Sequence, residues 1–183
     1  MPRVFFVTGC SSGFGNSLIR QILKEGDIAV ATARNPQVLQ FSGTTEKNFL
    51  ALKLDVTNPS DRKSAFEAAV NKFGRIDVLV NNAGSANAGR FEEYSEDQIR
   101  DLMEVNFFGQ IFMTRIALAV MREQKPSGGV IQQVTSIGAH VPHPWQTAYN
   151  ASKAGLDMLS ASVALELKPE WNIKFTCIEP GAF

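Results

Sequence analysis

The chain has 183 residues, enough for one substantial hydrophobic core and too few for two full domains, so a single domain over residues 1–183 is expected. Its 18 basic residues are balanced by 18 acidic ones, which leaves no electrostatic excess to draw a nucleic-acid backbone or an anionic membrane to the surface. No window approaches the apolar length of a bilayer-spanning helix and the first residues read as a strand instead of a secretory leader, so a soluble, cytoplasmic protein is expected, with neither nucleic acid nor membrane as partner.

Short apolar runs alternate with stretches of helical period, the pattern of an α/β protein with a mostly parallel sheet. Residues 4–7 form a first strand, 13–25 a helix and 28–33 a second strand, whose small and β-branched residues suit burial on both faces. Residues 49–54 form a third strand. Pro59 sits where a first helical turn tolerates proline, so a helix runs over 60–73 until Gly74 stops it, and a fourth strand follows over 76–80. Between 95 and 121, Ile99, Leu102, Val105, Phe112, Ile116 and Val120 recur at helical spacing, as two helices meeting near Asn106. Residues 130–134 are a fifth strand, 147–167 a long helix ended by Pro169, and 173–178 a sixth strand. The irregular stretches 35–47 and 84–94 are surface loops. Cys10 and Cys177, the only cysteines, make neither a disulfide framework nor a zinc site, and no metal is expected.

After the first strand comes Thr8-Gly9-Cys10-Ser11-Ser12-Gly13-Phe14-Gly15, with a helix beginning inside it. Glycines let backbone N–H groups approach an anion, and the helix N-terminus adds partial positive charge, so a pyrophosphate suits this turn. Its glycine spacing is not G-x-G-x-x-G, and taken alone the turn has equal claim to being a tight strand-to-helix connection. At the end of the second strand stands Arg34, where an acidic residue would accept from an adenosine ribose and a basic one pairs with a 2′-phosphate. Its planar fork matches a phosphate, which favours NADP(H) over NAD(H).

Tyr149-Asn150-Ala151-Ser152-Lys153 follows Ser136, which stands just beyond the fifth strand. Residues four apart share a helix face, so the Lys153 ammonium can lie near the Tyr149 phenol. A free phenol with a pKa of about 10 is a poor base near neutrality, and a neighbouring cation favours its ionised form. Ser136 then supplies a hydroxyl to hold a substrate oxygen. A Tyr-x-x-x-Lys pair alone is a common accident of helix surfaces; the preceding serine and the glycine turn give it meaning.

With these motifs in this order, the chain resembles the short-chain dehydrogenase/reductase family over essentially its whole length. The matching residues are the 8–15 turn, Asp55-Val56, Asn81-Asn82-Ala83-Gly84, Asn106, Ser136, Tyr149 with Lys153, and Pro180-Gly181. The resemblance implies a Rossmann-like, doubly wound parallel sheet with helices on both faces. It implies that Gly9, Ser11, Ser12, Gly13, Phe14 and Gly15 hold the cofactor's phosphates, that Asp55 and Val56 meet the adenine, and that Asn82, Ala83 and Gly84 line its middle. Pro180 and Gly181 join the cofactor contacts. Tyr149 donates the proton, Lys153 also holds the nicotinamide ribose, and Asn106 kinks its helix and holds a water that links Lys153 to solvent.

Asp77 reads as a turn residue, and His140 and His143 as exposed loop residues without a role. The family's pattern continues past Pro180-Gly181 with a threonine-containing segment, a substrate-covering loop and a seventh strand. The sequence stops at Phe183, so six strands are expected and the substrate is not legible. The expected function is hydride transfer between NADP(H) and a carbonyl or alcohol carbon of a small to medium apolar molecule. The alternative is a nucleotide-binding module without turnover, a cofactor-sensing regulator or an inactive truncated relative. Helices 107–121 and 149–167 carry more apolar residues than one sheet-facing stripe needs, and the family pairs them about a two-fold axis, so a homodimer or homotetramer is expected.

Overall fold

In the computed structural model, which describes residues 1–181, strands Val4–Val7 (β1), Ile28–Ala33 (β2), Phe49–Lys53 (β3), Val78–Asn81 (β4), Gly129–Val134 (β5) and Ile173–Ile178 (β6) form one sheet. Its order is β3-β2-β1-β4-β5-β6, and every neighbouring pair is parallel. This is the Rossmann-like order, in which the crevice outside the carboxyl ends of β1 and β4 is the natural ligand position. The helices are Gly13–Lys24 (α1), Pro59–Phe73 (α2), Glu96–Met103 (α3), Gly109–Glu123 (α4) and Thr147–Glu166 (α5).

Successive strand side chains point to opposite faces, and here both faces are buried, which explains the short, nearly continuous apolar runs. Val4 and Phe6 of β1, Val30 of β2, Leu79 of β4 and Ile131 of β5 pack with Ala65, Phe66 and Ala69 of α2 and Met113, Ala117 and Met121 of α4. Val7, Ala29, Ala31, Ala33, Val78 and Val80 point the other way, toward Ile19 and Ile22 of α1. The alanines of β2 bring α1 close to the sheet. On the first face, α5 lies beside α4 and across β5 and β6.

Helix ends follow local chemistry. Asn58 accepts the N–H groups of Ser60 and Asp61 ahead of Pro59, and Gly74 ends α2 in the left-handed conformation with φ 77°. Ser95 and Gln98 form a reciprocal capping box on α3. The start of α1 is different: Ser12 makes no side-chain cap.

Two expected segments differ in detail. The fourth strand begins at Val78 and not at Ile76; Asp77 still exchanges backbone bonds with Val4 and Val130, while its side chain and the Ile76 N–H tie a junction. The Ile76 N–H donates to Gln124 Oε1, while Asp77 accepts from the Val4 N–H and from Arg75. Between α3 and α4, residues Glu104–Phe108 form a π turn that contains Asn106. Such an inserted turn withdraws a carbonyl from the i→i+4 ladder and occurs often at functional sites. No helix among the described residues is long and apolar enough to cross a membrane.

Candidate active site

Beyond β1 the backbone folds back against the segment that follows β4. The Thr8 hydroxyl accepts the N–H groups of Asn82 and Ala83 at 2.9 and 2.8 Å, and Asn82 Nδ2 returns bonds to the carbonyls of Thr8 and Gly9 at 2.9 and 3.0 Å. A Cβ on Gly9, where φ is 70°, would stand 2.8 Å from the Ala83 Cα; one on Gly15 would strike the Gly9 carbonyl oxygen and lie 2.7 Å from Asn82 Nδ2. Only glycine permits this approach. Gly13 has room for a side chain, and its φ of 56° is what requires glycine there.

The result is a cleft of about 850 Å³ whose wall includes Gly9, Ser11, Ser12, Phe14, Arg34, Asp55, Val56, Asn82, Ala83 and Gly84. Gly13 stands in the same turn, and Gly15 closes it from beneath against Asn82. Arg34 is exposed, and Thr57 binds Asp55 through both its N–H and its hydroxyl at 2.9 and 2.8 Å. Burial pushes the Asp55 carboxyl up, but the two Thr57 bonds and the charges of Arg34 and Lys53 outweigh it and hold the group below the usual carboxylate range.

The second half of the site lies on α5 and the turn after β5. Lys153 is 5% exposed; its Nζ donates to the Val134 carbonyl at 2.7 Å and stands 5.8 Å from the centroid of the Tyr149 ring. Burial pushes this ammonium down to about 8. A Cβ on Gly84 would lie 3.6 Å from Lys153 Nζ and 3.3 Å from Asn106 Oδ1. Gly84 is therefore the place where the cleft and the lysine meet. Ser136, Tyr149, Lys153, Pro180 and Gly181 lie outside the wall of the cleft itself.

Asn106 is fully buried and does not face solvent. Its side chain accepts the Ser85 N–H at 2.8 Å and donates to the Ser85 carbonyl at 2.8 Å and to Ser152 Oγ at 3.2 Å, so it pins the 84–85 backbone to α5. Ser136 Oγ accepts the Gly138 N–H at 3.0 Å, which caps the short turn Ile137–Ala139 and leaves the hydroxyl proton to donate outward. The Ile137 N–H donates to the Pro180 carbonyl at 3.1 Å, bringing Pro180-Gly181 beside the Ser136 turn.

Thr57, Ser85 and Gln110 also shape the site, and the sequence motifs do not include them. Thr57 had a local signal, since Asp-x-Thr favours a side-chain turn. Ser85 and Gln110 had none: Gln110 reaches the Ala83 carbonyl only because the π turn rotates α4. Asn81, Thr114 and Gln133 tie β4, α4 and β5 together through buried hydrogen bonds. His140 is partly exposed between Asp157 and Glu179, and His143 lies exposed with its Nδ1 on the Val141 carbonyl.

A doubly wound parallel sheet with a glycine turn after β1 and an Asn-Asn-Ala-Gly segment after β4 defines a protein of the Rossmann type. Residues 3–183 match the short chain dehydrogenase family, and the chain belongs to it. Among curated relatives, it is 40% identical over 183 residues to the oxidoreductase calM of Penicillium decumbens, covering 97% of this chain and 60% of that protein. It is 35% identical over 182 residues to a 3-ketodihydrosphingosine reductase of Bacteroides thetaiotaomicron, covering 100% of this chain and 64% of the relative. The chain thus spans about three fifths of the length of the curated relatives it matches. A solved short-chain dehydrogenase from Streptomyces avermitilis superposes with TM-score 0.92 at 38% identity, over 100% of this chain and 66% of that one. A 3-ketoacyl-(acyl-carrier-protein) reductase from Brucella melitensis, solved with NADH, superposes with TM-score 0.91 at 32% identity, over 98% and 76% of the two chains.

Proposed function

We propose that this chain is the nicotinamide-dependent part of an oxidoreductase that moves a hydride between NADP(H) and a carbonyl or alcohol carbon of a small to medium, fairly apolar molecule. The observation that carries the reading is the buried Lys153 ammonium, which lies beside Tyr149 and directly beneath Gly84 at the edge of the 850 Å³ cleft. The residues present fit a dinucleotide: the glycine cradle admits no side chain at Gly9 or Gly15, and it opens onto the N-terminus of α1, where Ser12 makes no side-chain cap. Relatives named as 3-keto reductases support a carbonyl substrate.

When bound, the nicotinamide supplies or accepts the hydride. In this reading the turn from Gly9 to Gly15 holds the pyrophosphate, Arg34 pairs with the 2′-phosphate, and Asp55 and Val56 border the adenine. Lys153, with a pKa near 8, still carries its charge at neutral pH. Tyr149, beside that ammonium, is placed to exchange a proton with the substrate oxygen while Ser136 donates a hydrogen bond to that oxygen. Asn106 holds the Ser85 backbone in place, and the carbonyl freed in its π turn suits a water that passes protons to Lys153.

Met158 and Leu165, seven residues apart on α5 and 69% and 90% exposed, leave an apolar stripe that supports pairing of two copies across α4 and α5. The test of the reading follows the absorbance of the reduced nicotinamide over a panel of ketones and aldehydes. The parent protein is expected to turn over at least one of them, and Tyr149→Phe to lose about 100-fold or more of that rate while still binding cofactor. If the parent binds cofactor and consumes nothing, the chain is a binding module without turnover; a monomeric mass in the same samples removes the pairing.

A further inference from the structure

Outside the cleft, donors from three separate elements converge at the end of β6. His140 follows the Ser136 turn, Asp157 lies on α5 one turn beyond Lys153, and Glu179 immediately precedes Pro180-Gly181. The His140 Nε2 stands 3.2 Å from Glu179 Oε1 and 3.6 Å from Asp157 Oδ2, and all three donor atoms fall within 4.8 Å of one another. We propose that His140, Asp157 and Glu179 form a zinc-class divalent-cation site, with three protein ligands and a fourth position taken by water.

The spacing is that of a tetrahedral ion. Bonds of 2.0–2.2 Å to nitrogen and oxygen place neighbouring ligands about 3.3–3.6 Å apart, and the His140 contacts of 3.2 and 3.6 Å lie within about 0.1 Å of that range. The third edge closes by rotation of the Glu179 side chain, which is 39% exposed and free to move further than Asp157 at 23%. Two carboxylates held this close repel one another, and a dication between them removes that repulsion. One imidazole with two carboxylates suits zinc, whereas magnesium and calcium prefer an all-oxygen shell of six or more ligands.

A supporting contact lies behind the ligands. Cys177, two residues before Glu179 on the same face of β6, hydrogen-bonds Asp157 through its thiol. That contact orients the Asp157 carboxylate from behind. The site also joins segments that matter elsewhere. The Ile137 N–H already binds the Pro180 carbonyl at 3.1 Å, and an ion shared by His140 and Glu179 clamps the same two strands of chain a second time. Zinc therefore rigidifies the turn that carries Ser136 without entering the cleft.

The test uses the full chain dialysed against chelator, titrated with zinc chloride by calorimetry and followed by thermal unfolding. One zinc per chain and a raised melting temperature are expected, with His140→Ala and Glu179→Gln each weakening binding by about 10-fold or more. Magnesium at the same concentration is expected to leave the melting temperature unchanged. Absence of zinc binding at millimolar concentration overturns the site. So does wild-type zinc affinity in both variants, provided their circular dichroism matches the parent, and so does equal stabilisation by magnesium.

Discussion

The glycine turn and the Tyr149–Lys153 region are built by different means. Around Gly9, Gly15 and Asn82 the shape is made of backbone: carbonyls, N–H groups and the Thr8 hydroxyl interlock, and no added side chain fits. Around Tyr149 the shape is made of side chains on α5 and of two loops, joined where the Tyr94 hydroxyl and the Gly89 N–H both donate to the Trp145 carbonyl. Trp145 itself is 61% exposed with φ 64°. One region is preformed in its backbone, which on the proposed reading suits a pyrophosphate of fixed shape. The other presents exposed side chains, the means by which a scaffold varies its small-molecule partner.

That contrast breaks most readily at the glycines. Gly15→Ala drives a methyl group into the Gly9 carbonyl and the Asn82 amide, neither of which can withdraw without opening the turn, and is expected to cost about 3 kcal/mol in chemical denaturation. Gly13→Ala meets nothing within 4 Å and carries only the left-handed backbone penalty, about 1 kcal/mol. Equal losses at both positions would show that space is not what selects glycine.

The second prediction concerns the side-chain region. Burial holds the Lys153 ammonium at about 8 against an ordinary 10.5, so between those values the unfolded chain binds more protons than the folded one. Stability then rises with pH: the burial penalty is fully present below about pH 8 and relieved by pH 10.5, with an amplitude of about 3 kcal/mol. Lys153→Met removes this titration, so the unfolding free energy of the parent should rise relative to that of the variant across that window. A constant difference would mean the ammonium is solvated in the folded protein.

The smallest effect is expected at the exposed rim. Arg34→Asp, at an exposed position on the wall of the cleft, is predicted to shift the NADPH-to-NADH affinity ratio by about 10-fold toward NADH, read by fluorescence titration with each cofactor. An unchanged ratio removes Arg34 from cofactor choice.

Much of this protein was legible from local pattern, because strand and helix periodicity, Pro59, Gly74 and the glycine turn act through their immediate neighbours. Six parallel strands, the helices between them and the positions of Tyr149 and Lys153 on one helical face all follow from spacings of two to four residues. Contacts across the chain were not legible in this way. Asn106 looked like a helix residue holding a water, and the fold shows it also gripping Ser85, 21 positions away, because a π turn aims it inward. His140 read as an exposed loop residue; only the packing of α5 on β6 sets it between Asp157 and Glu179. Local propensity depends on what the chain meets within one turn, whereas a binding site depends on which distant segments the sheet order brings side by side.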